Sequence, residues 1–324
     1  MTGSAGVVDT PLRCESTPLR RRANHTLRAD NEPVTERAAS RTAVLVCQGR
    51  AVADGRLGIG RFSDPVAVDL LADSEREMVA LVRSGVVPRS FGLRMEYELL
   101  SATAEVLAVR TIAIDDAIRA AANPQLVILG AGLDARAWRM PELSATTIFE
   151  VDHPASQAEK RDRLGDRRPV ADIHFVPVDF AEDSMTAALA TAGHDDSRPT
   201  TWIWEGVVPY LTPAQVAETL SALATRSAPA SRLVLTYPTP NRTYNYGRKA
   251  MQLLLTLSGR PNPMAREPQR SSWTPDALAT LLAAHGFTVT ADRTLHSLAD
   301  AADIEPAHRS LRADGHLLAA DRTA

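Results

Sequence analysis

Five short apolar runs follow one another after residue 123, at 126–129, 147–151, 173–178, 201–204 and 232–237. Each has the length of a strand and is too short to stand as a helix. Helical stretches separate most of them. Thr212-Pro213-Ala214-Gln215 is a capping box with proline at the first helical position, and Val216, Leu220 and Leu223 behind it share one face. Thr274-Pro275-Asp276 opens a second helix, carried by Leu278, Leu281 and Leu282 and closed by Gly286. Residues 287–290 and 316–320 read as two final strands. Strands alternating with helices predict an α/β fold with a parallel sheet covered on both faces. Ligands of such sheets sit outside the carboxyl ends of the strands, so the residue after each strand is where function is sought.

The chain upstream has a different texture. Residues 1–38 are polar and rich in arginine, with Arg20-Arg21-Arg22 among Pro, Thr, Asn and Glu. A segment of this kind buries too little apolar area to offset its ordering entropy, and a flexible leader is expected. Residues 39–120 are expected to be helical, with helices at 41–48, 62–72, 75–82 and 95–109. Ser63-Asp64-Pro65 marks the start of the second. Residues 121–324 form the strand-bearing domain, interrupted by a long excursion at 238–272.

Composition removes several classes of function. The 324 residues are 44% hydrophobic and 23% charged with a net charge of −3, within the globular range. No basic excess marks a nucleic-acid binder. No run of about 18 apolar residues predicts a membrane span, and the first residues lack a secretory pattern. Cys14 and Cys47 can form neither a disulfide framework nor a CxxC metal site, so a reduced, cytoplasmic setting without a metal is expected.

The strand ends carry the chemistry. After the first strand comes Gly130-Ala131-Gly132-Leu133-Asp134-Ala135, whose glycines allow a sharp turn and a close backbone approach to a ligand. As a pattern it also fits a dinucleotide-binding fingerprint. Asp152 follows the second strand and can accept both hydroxyl bonds of an adenosine ribose, in a nicotinamide cofactor or in S-adenosylmethionine alike. Glu150 shares its face if the strand runs on. Asp179 and Phe180 follow the third strand, where a carboxylate can accept from an adenine amino group and a ring can pack on the base. Glu205 follows the fourth and suits a cationic group, ammonium or sulfonium. A Tyr-x-x-x-Lys pair, which a short-chain dehydrogenase needs, is missing: Ser156 precedes Lys160 by four residues and Asn245 precedes Lys249.

Leu129-Gly130-Ala131-Gly132-Leu133-Asp134-Ala135-Arg136-Ala137-Trp138-Arg139 resembles the first motif of the leucine carboxyl methyltransferase-like family. Phe149-Glu150-Val151-Asp152-His153-Pro154 resembles the second, and the segments 175–180 and 204–211 complete the set in family order. Arg110-Thr111 with Asp115-Asp116 is similar to the family's upstream arginine segment. The resemblance implies a Rossmann-like class I methyltransferase sheet, mostly parallel with an antiparallel final strand, under an N-terminal helical substrate cap. It implies S-adenosylmethionine as cofactor and S-adenosylhomocysteine as product. By motif, Arg110 would pair the methionine carboxylate, and Gly130, Ala131 and Gly132 would line the methionine and ribose. Asp152 would hold the ribose, Asp179 and Phe180 would flank the adenine, and Glu205 would face the ammonium.

A small-molecule acceptor is expected, a carboxylate first on family analogy and a hydroxyl or phenol second. A carboxylate is already ionised and needs no general base; a hydroxyl needs one. No catalytic base is assigned. His153 is one by type, but its place beside the ribose acid predicts a structural role. Tyr210, just past a strand end, and Tyr244 and Arg248 in the 238–272 excursion are the candidate substrate contacts. A nicotinamide-dependent oxidoreductase and a non-catalytic S-adenosylmethionine binder are the readings of other classes.

Overall fold

The computed structural model describes residues 1, 40–180, 182–240, 268–305, 307–308 and 315–323. The leader and most of the 238–272 excursion, with Tyr244 and Arg248, lie outside the described residues. From residue 40 onward the described chain belongs to one compact unit, Glu36–Ala324.

Among the described residues three helices come first: α1 (Arg41–Ala53), α2 (Asp73–Ser84) and α3 (Phe91–Ala121). Ser40 caps α1 by accepting from the Thr42 amide. Residues 62–72, expected to be helical, are instead a succession of turns. Their apolar spacing is real, since Phe62, Val66, Ala67, Leu70 and Leu71 are all buried. Short backbone turns such as Leu71 N to Val68 O hold the segment, and side chains take several of the carbonyls that a longer helix would use. Arg76 donates to Val68 O and Asp69 O, Arg163 to Leu70 O, and the Cys47 thiol to Ala67 O. The last predicted helix is longer than expected. α3 runs through Arg110 and Asp115 to Ala121, some 46 Å at 1.5 Å per residue. It ends where Ala122 takes a left-handed conformation (φ 47°).

Seven strands form one sheet: β1 (Gln125–Leu129), β2 (Thr147–Asp152), β3 (Asp172–Pro177), β4 (Thr200–Trp204), β5 (Arg232–Pro238), β6 (Phe287–Thr294) and β7 (Gly315–Arg322). Their order is β3-β2-β1-β4-β5-β7-β6. β1 to β5 are mutually parallel, and β7 is antiparallel to both its neighbours. This is the expected Rossmann-like α/β sheet, with the antiparallel final strand inserted between β5 and β6. β6 outruns its predicted end at residue 290 by passing through a register shift between Val289 and Ala291.

Alternation along the strands sends residues to two cores. Leu126, Ile128, Ile148, Ile203, Val234 and Leu317 face the side that holds α1, α2 and α3. On the same side lie α4 (Arg136–Arg139) and α9 (Leu295–Ala301). Val127, Leu129, Phe149, Trp202, Trp204, Leu233 and Leu235 face the other. There Val216, Leu220 and Leu223 of α7 (Pro213–Thr225) and Leu278 and Leu282 of α8 (Pro275–Ala284) cover them. Each such apolar side chain contributes roughly 1.5–3 kcal/mol on leaving water. The Thr212–Gln215 capping box is formed. Two further helices, α5 (Pro154–Leu164) and α6 (Met185–Thr191), complete the crossovers. The chain winds outward from β1 to β3, then returns across β1 to β4. The β1/β4 boundary is therefore the switch in strand order, where a crevice opens at the carboxyl edge.

Candidate cofactor site

The loop after β1 is pulled onto β2. Gly130 N and Ala131 N both donate to Val151 O, at 2.8 and 3.3 Å. Gly130 and Gly132 have φ of +65° and +49°, a region that suits glycine. Neither has room for a side chain. A Cβ on Gly130 would lie 2.6 Å from Val207 Cγ2, and one on Gly132 would lie 3.0 Å from Ala43 Cβ. Asp152 ends β2 and fastens this loop from the other side. Its Oδ2 accepts from Gly132 N at 2.5 Å and its Oδ1 from His153 N at 2.6 Å. His153 does have a structural role, since its Nδ1 caps α5 by accepting from Ala155 N at 3.2 Å.

A cavity of about 300 Å³ lies over this loop, at the switch between β1 and β4. Gly130, Ala131, Gly132 and Asp152 line it, with Arg110, Glu205 and Tyr210. Thr42, Ala43 and Val46 of α1 line it as well. Seven of the residues singled out in the sequence thus meet in one place. Asp179 and Phe180 do not. They follow β3, two strands from β1, outside this cavity. Asp179 Oδ2 stands 3.8 Å from His153 Nε2, and Phe180 is 53% exposed. Glu150 points away from the site, fully buried, with an oxygen 2.5 Å from Lys160 Nζ.

From this wall a chain of buried charge runs inward that no spacing in the sequence announces. Glu205 meets Arg110 Nε at 2.6 Å and Arg136 Nη2 at 3.3 Å. Arg136 also bonds Asp134, and Asp115 at 2.8 Å. Asp115 is held again by Arg139 at 2.7 Å. Arg139 reaches Asp64 at 3.5 Å, and Asp64 pairs with Arg50 at 3.0 Å. Four arginines and four carboxylates therefore balance. Burial alone would raise the Glu205 carboxyl, but the guanidiniums of Arg110 and Arg136 outweigh it and hold it below the usual range. The same contest leaves Asp134 and Asp115 low, through Arg136 and Arg139. At Asp64 burial wins and the carboxyl is raised. Arg50 went unremarked in the sequence, and Asp64 was read only as part of a helix start. The available signal was a lone charge inside each of two apolar stretches, which must find a partner if buried.

The arrangement suits S-adenosylmethionine. The backbone of Gly130, Ala131 and Gly132 lines the cavity, where a ligand can lie against it. Asp152 presents a fixed carboxylate beside it. Arg110 and Glu205 offer a cation and an anion 2.6 Å apart, complementary to an amino-acid zwitterion. Among the described residues, no group of three or more His, Cys, Asp or Glu is placed to hold a metal, and no helix is long and apolar enough to cross a membrane.

Comparison with known proteins places the chain. The leucine carboxyl methyltransferase family profile matches residues 43–224. A provisionally named S-adenosyl-L-methionine-dependent methyltransferase of Mycolicibacterium gilvum is 36% identical over 201 residues, 60% of this chain and 65% of that protein. A protein of the same name from Mycobacterium ulcerans is 35% identical over 230 residues, 68% of this chain and 72% of the other. In structure, a DUF574 family protein from Streptomyces avermitilis matches with a TM-score of 0.54 at 13% identity, covering 88% of this chain and 98% of that one. A provisionally named methyltransferase from Thermobifida fusca matches at 0.51 and 15%, covering 86% and 94%. The structural likenesses bear on the fold alone; the sequence matches go further, and by them the chain belongs to the leucine carboxyl methyltransferase family.

Proposed function

We propose that the chain is an S-adenosylmethionine-dependent methyltransferase acting on an oxygen of a small-molecule carboxylate. The observation that carries the first half is the Arg110–Glu205 pair facing the cavity beside the glycine loop and Asp152. Arg110 would take the cofactor's carboxylate and Glu205 its ammonium. Gly130 and Gly132 would pass the methionine and ribose close to backbone, and Asp152 would accept from the ribose hydroxyls. Phe180, exposed at the end of β3, would pack on the adenine with Asp179 beside it. When bound, the cofactor supplies a methyl group on a sulfonium, open to in-line attack. The chain contributes alignment, by fixing the ligand at both its ends in a cavity that α1 also lines. The family match favours this reading over a nicotinamide cofactor for the same loop.

The wall supports a carboxylate acceptor. Among its described residues there is no histidine or lysine. Of its acids, Glu205 and Asp134 are committed to arginines and Asp152 to two backbone amides, and His153 beside it is spent as a helix cap. A hydroxyl acceptor would need a base within hydrogen-bond reach, whereas a carboxylate arrives ionised. Titration calorimetry with S-adenosylmethionine, S-adenosylhomocysteine and NAD(H) tests the cofactor. Micromolar binding of the first two without an NAD signal is expected; the reverse would overturn the reading. A screen with methyl-labelled cofactor then tests the acceptor. The expected product is an alkali-labile methyl ester, and an alkali-stable product would replace the carboxylate by a hydroxyl.

A further inference from the structure

Arg136 is the most enclosed cation in the charge chain, and the roles assigned above leave it unused. Its side chain is 1% exposed, in a short helix just past the glycine loop. All three guanidinium nitrogens are engaged. Nε donates to Asp115 at 2.8 Å, Nη1 donates to Asp134, and both Nη atoms reach Glu205 Oε2 at 3.3 Å. Asp115 is gripped from its other side by Arg139, at 2.7 and 3.0 Å. The backbone amide of Arg136 donates to Asp134 as well, at 2.8 Å. A guanidinium anchored at this many points stays where it is while its neighbours change partners.

Glu205 is different, because its two cations are not equivalent. Arg136 sits behind it in the protein, whereas Arg110 shares the cavity wall with it. An amino-acid zwitterion entering between Arg110 and Glu205 gives each a new partner of opposite charge. Once Arg110 has turned to the ligand, Arg136 is the cation that remains on Glu205. Without it, a buried carboxylate close to Asp134 would have only the ligand's ammonium and the more distant charge of Arg50 to set against its desolvation, and before the ligand arrives it would depend on Arg110 itself.

We propose that Arg136 is a positioning residue that holds Glu205 ionised and in place from behind, so that Arg110 can exchange Glu205 for the ligand's carboxylate while Glu205 accepts the ligand's ammonium. The proposal rests on the S-adenosylmethionine reading of the cavity. It makes the amino-acid end of the ligand, and not the nucleoside end, the part that depends on Arg136.

The test compares S-adenosylhomocysteine with 5′-methylthioadenosine, which keeps the adenosine and the thioether but lacks the amino acid. Arg136→Lys retains the charge, yet one ammonium cannot bond three carboxylates in a fixed fork. Calorimetry on the full chain is expected to show at least a tenfold weaker Kd for S-adenosylhomocysteine and a change within threefold for methylthioadenosine. Glu205→Gln should give the same pattern. Combining the two substitutions should cost no more than Glu205→Gln alone, because one acts through the other. Equal losses for both nucleosides, or losses that multiply in the double variant, would overturn the proposal and leave Arg136 a structural ion. If Arg136→Lys fails to fold, Asp115→Asn loosens the same guanidinium from behind, and the same selective loss is required of it. A wild-type chain that binds neither nucleoside overturns the cofactor reading, and this proposal with it. Wild-type binding followed by the wrong variant pattern overturns this proposal alone.

Discussion

Asp152 does two jobs with one carboxylate. Each oxygen already accepts a backbone amide, from Gly132 and from His153, and each keeps a lone pair for a ligand hydroxyl. Asp152→Ala is therefore expected to weaken S-adenosylmethionine binding about tenfold, the worth of one or two hydrogen bonds at roughly 1 kcal/mol each. Asp152→Asn, which keeps one acceptor, should recover part of it. Calorimetry decides, and an unchanged affinity would remove Asp152 from the ribose. Residues of this kind are legible in a sequence because they follow a strand and have no apolar reason to be there. Asp152 and Glu205 were found so, whereas Arg110, inside α3, came only from the family resemblance. Arg50 and Asp64 were not, and Arg136 was seen only as a letter in a motif. What makes these residues matter is pairing across the chain, Arg136 with Asp115 at 21 residues and with Glu205 at 69, and such separations leave no local spacing to read.

Among the elements, the glycine turn after β1 is the most demanding. Gly130→Ala combines a left-handed backbone with a Cβ only 2.6 Å from Val207, and the two effects can be separated. Gly130→Ala should lower stability by roughly 1–2 kcal/mol for the conformation alone, with the clash added. Adding Val207→Ala should return only the clash. Chemical denaturation of the three variants checks this; full recovery in the double variant would show that the turn is not conformationally restrictive. β1 to β5 were legible nearly to the residue, since buried parallel strands are short apolar runs with clear ends, whereas β6 runs four residues past its expected end. The cap was less so. The apolar residues at 62–71 have a helical period, but Arg76 and Arg163 take several of the carbonyls a longer helix would use. In α3 the error ran the other way. Arg110 and Asp115 look like interruptions of an apolar helix, yet their charges are paired, so the helix continues through them.

At the scale of the whole molecule, two buried groups set opposite responses to acid. Burial pushes the Glu150 carboxyl up to about 7, so between pH 7 and about 4.5 the folded chain holds a proton there that the unfolded chain releases. Acidification through that window stabilises the fold. Burial and then Arg226 push His194 down to about 4, so over much the same window the unfolded chain takes up a proton that the folded chain refuses. That contribution destabilises on acidification. Glu150→Gln should therefore turn the melting temperature downward as pH falls from 7 to 5, and His194→Gln should turn it upward. Identical pH profiles in both variants and the wild type would refute the assignment. Below about pH 4, the depressed carboxyls of Asp115, Asp134 and Glu205 should bring a steep loss in all three proteins, as their stabilisation is withdrawn. The balanced chain of four arginines and four carboxylates also bears on how such a protein can change over generations. Removing one charge strands another in the interior at a cost of several kcal/mol, a sizeable part of the margin by which a domain stays folded. Single charge-altering replacements at these eight positions are thus costly though survivable one at a time, while compensated pairs are open. Descendants of this sequence are expected to inherit the block intact or exchange its members two at a time, and to explore new acceptors through the surfaces around it.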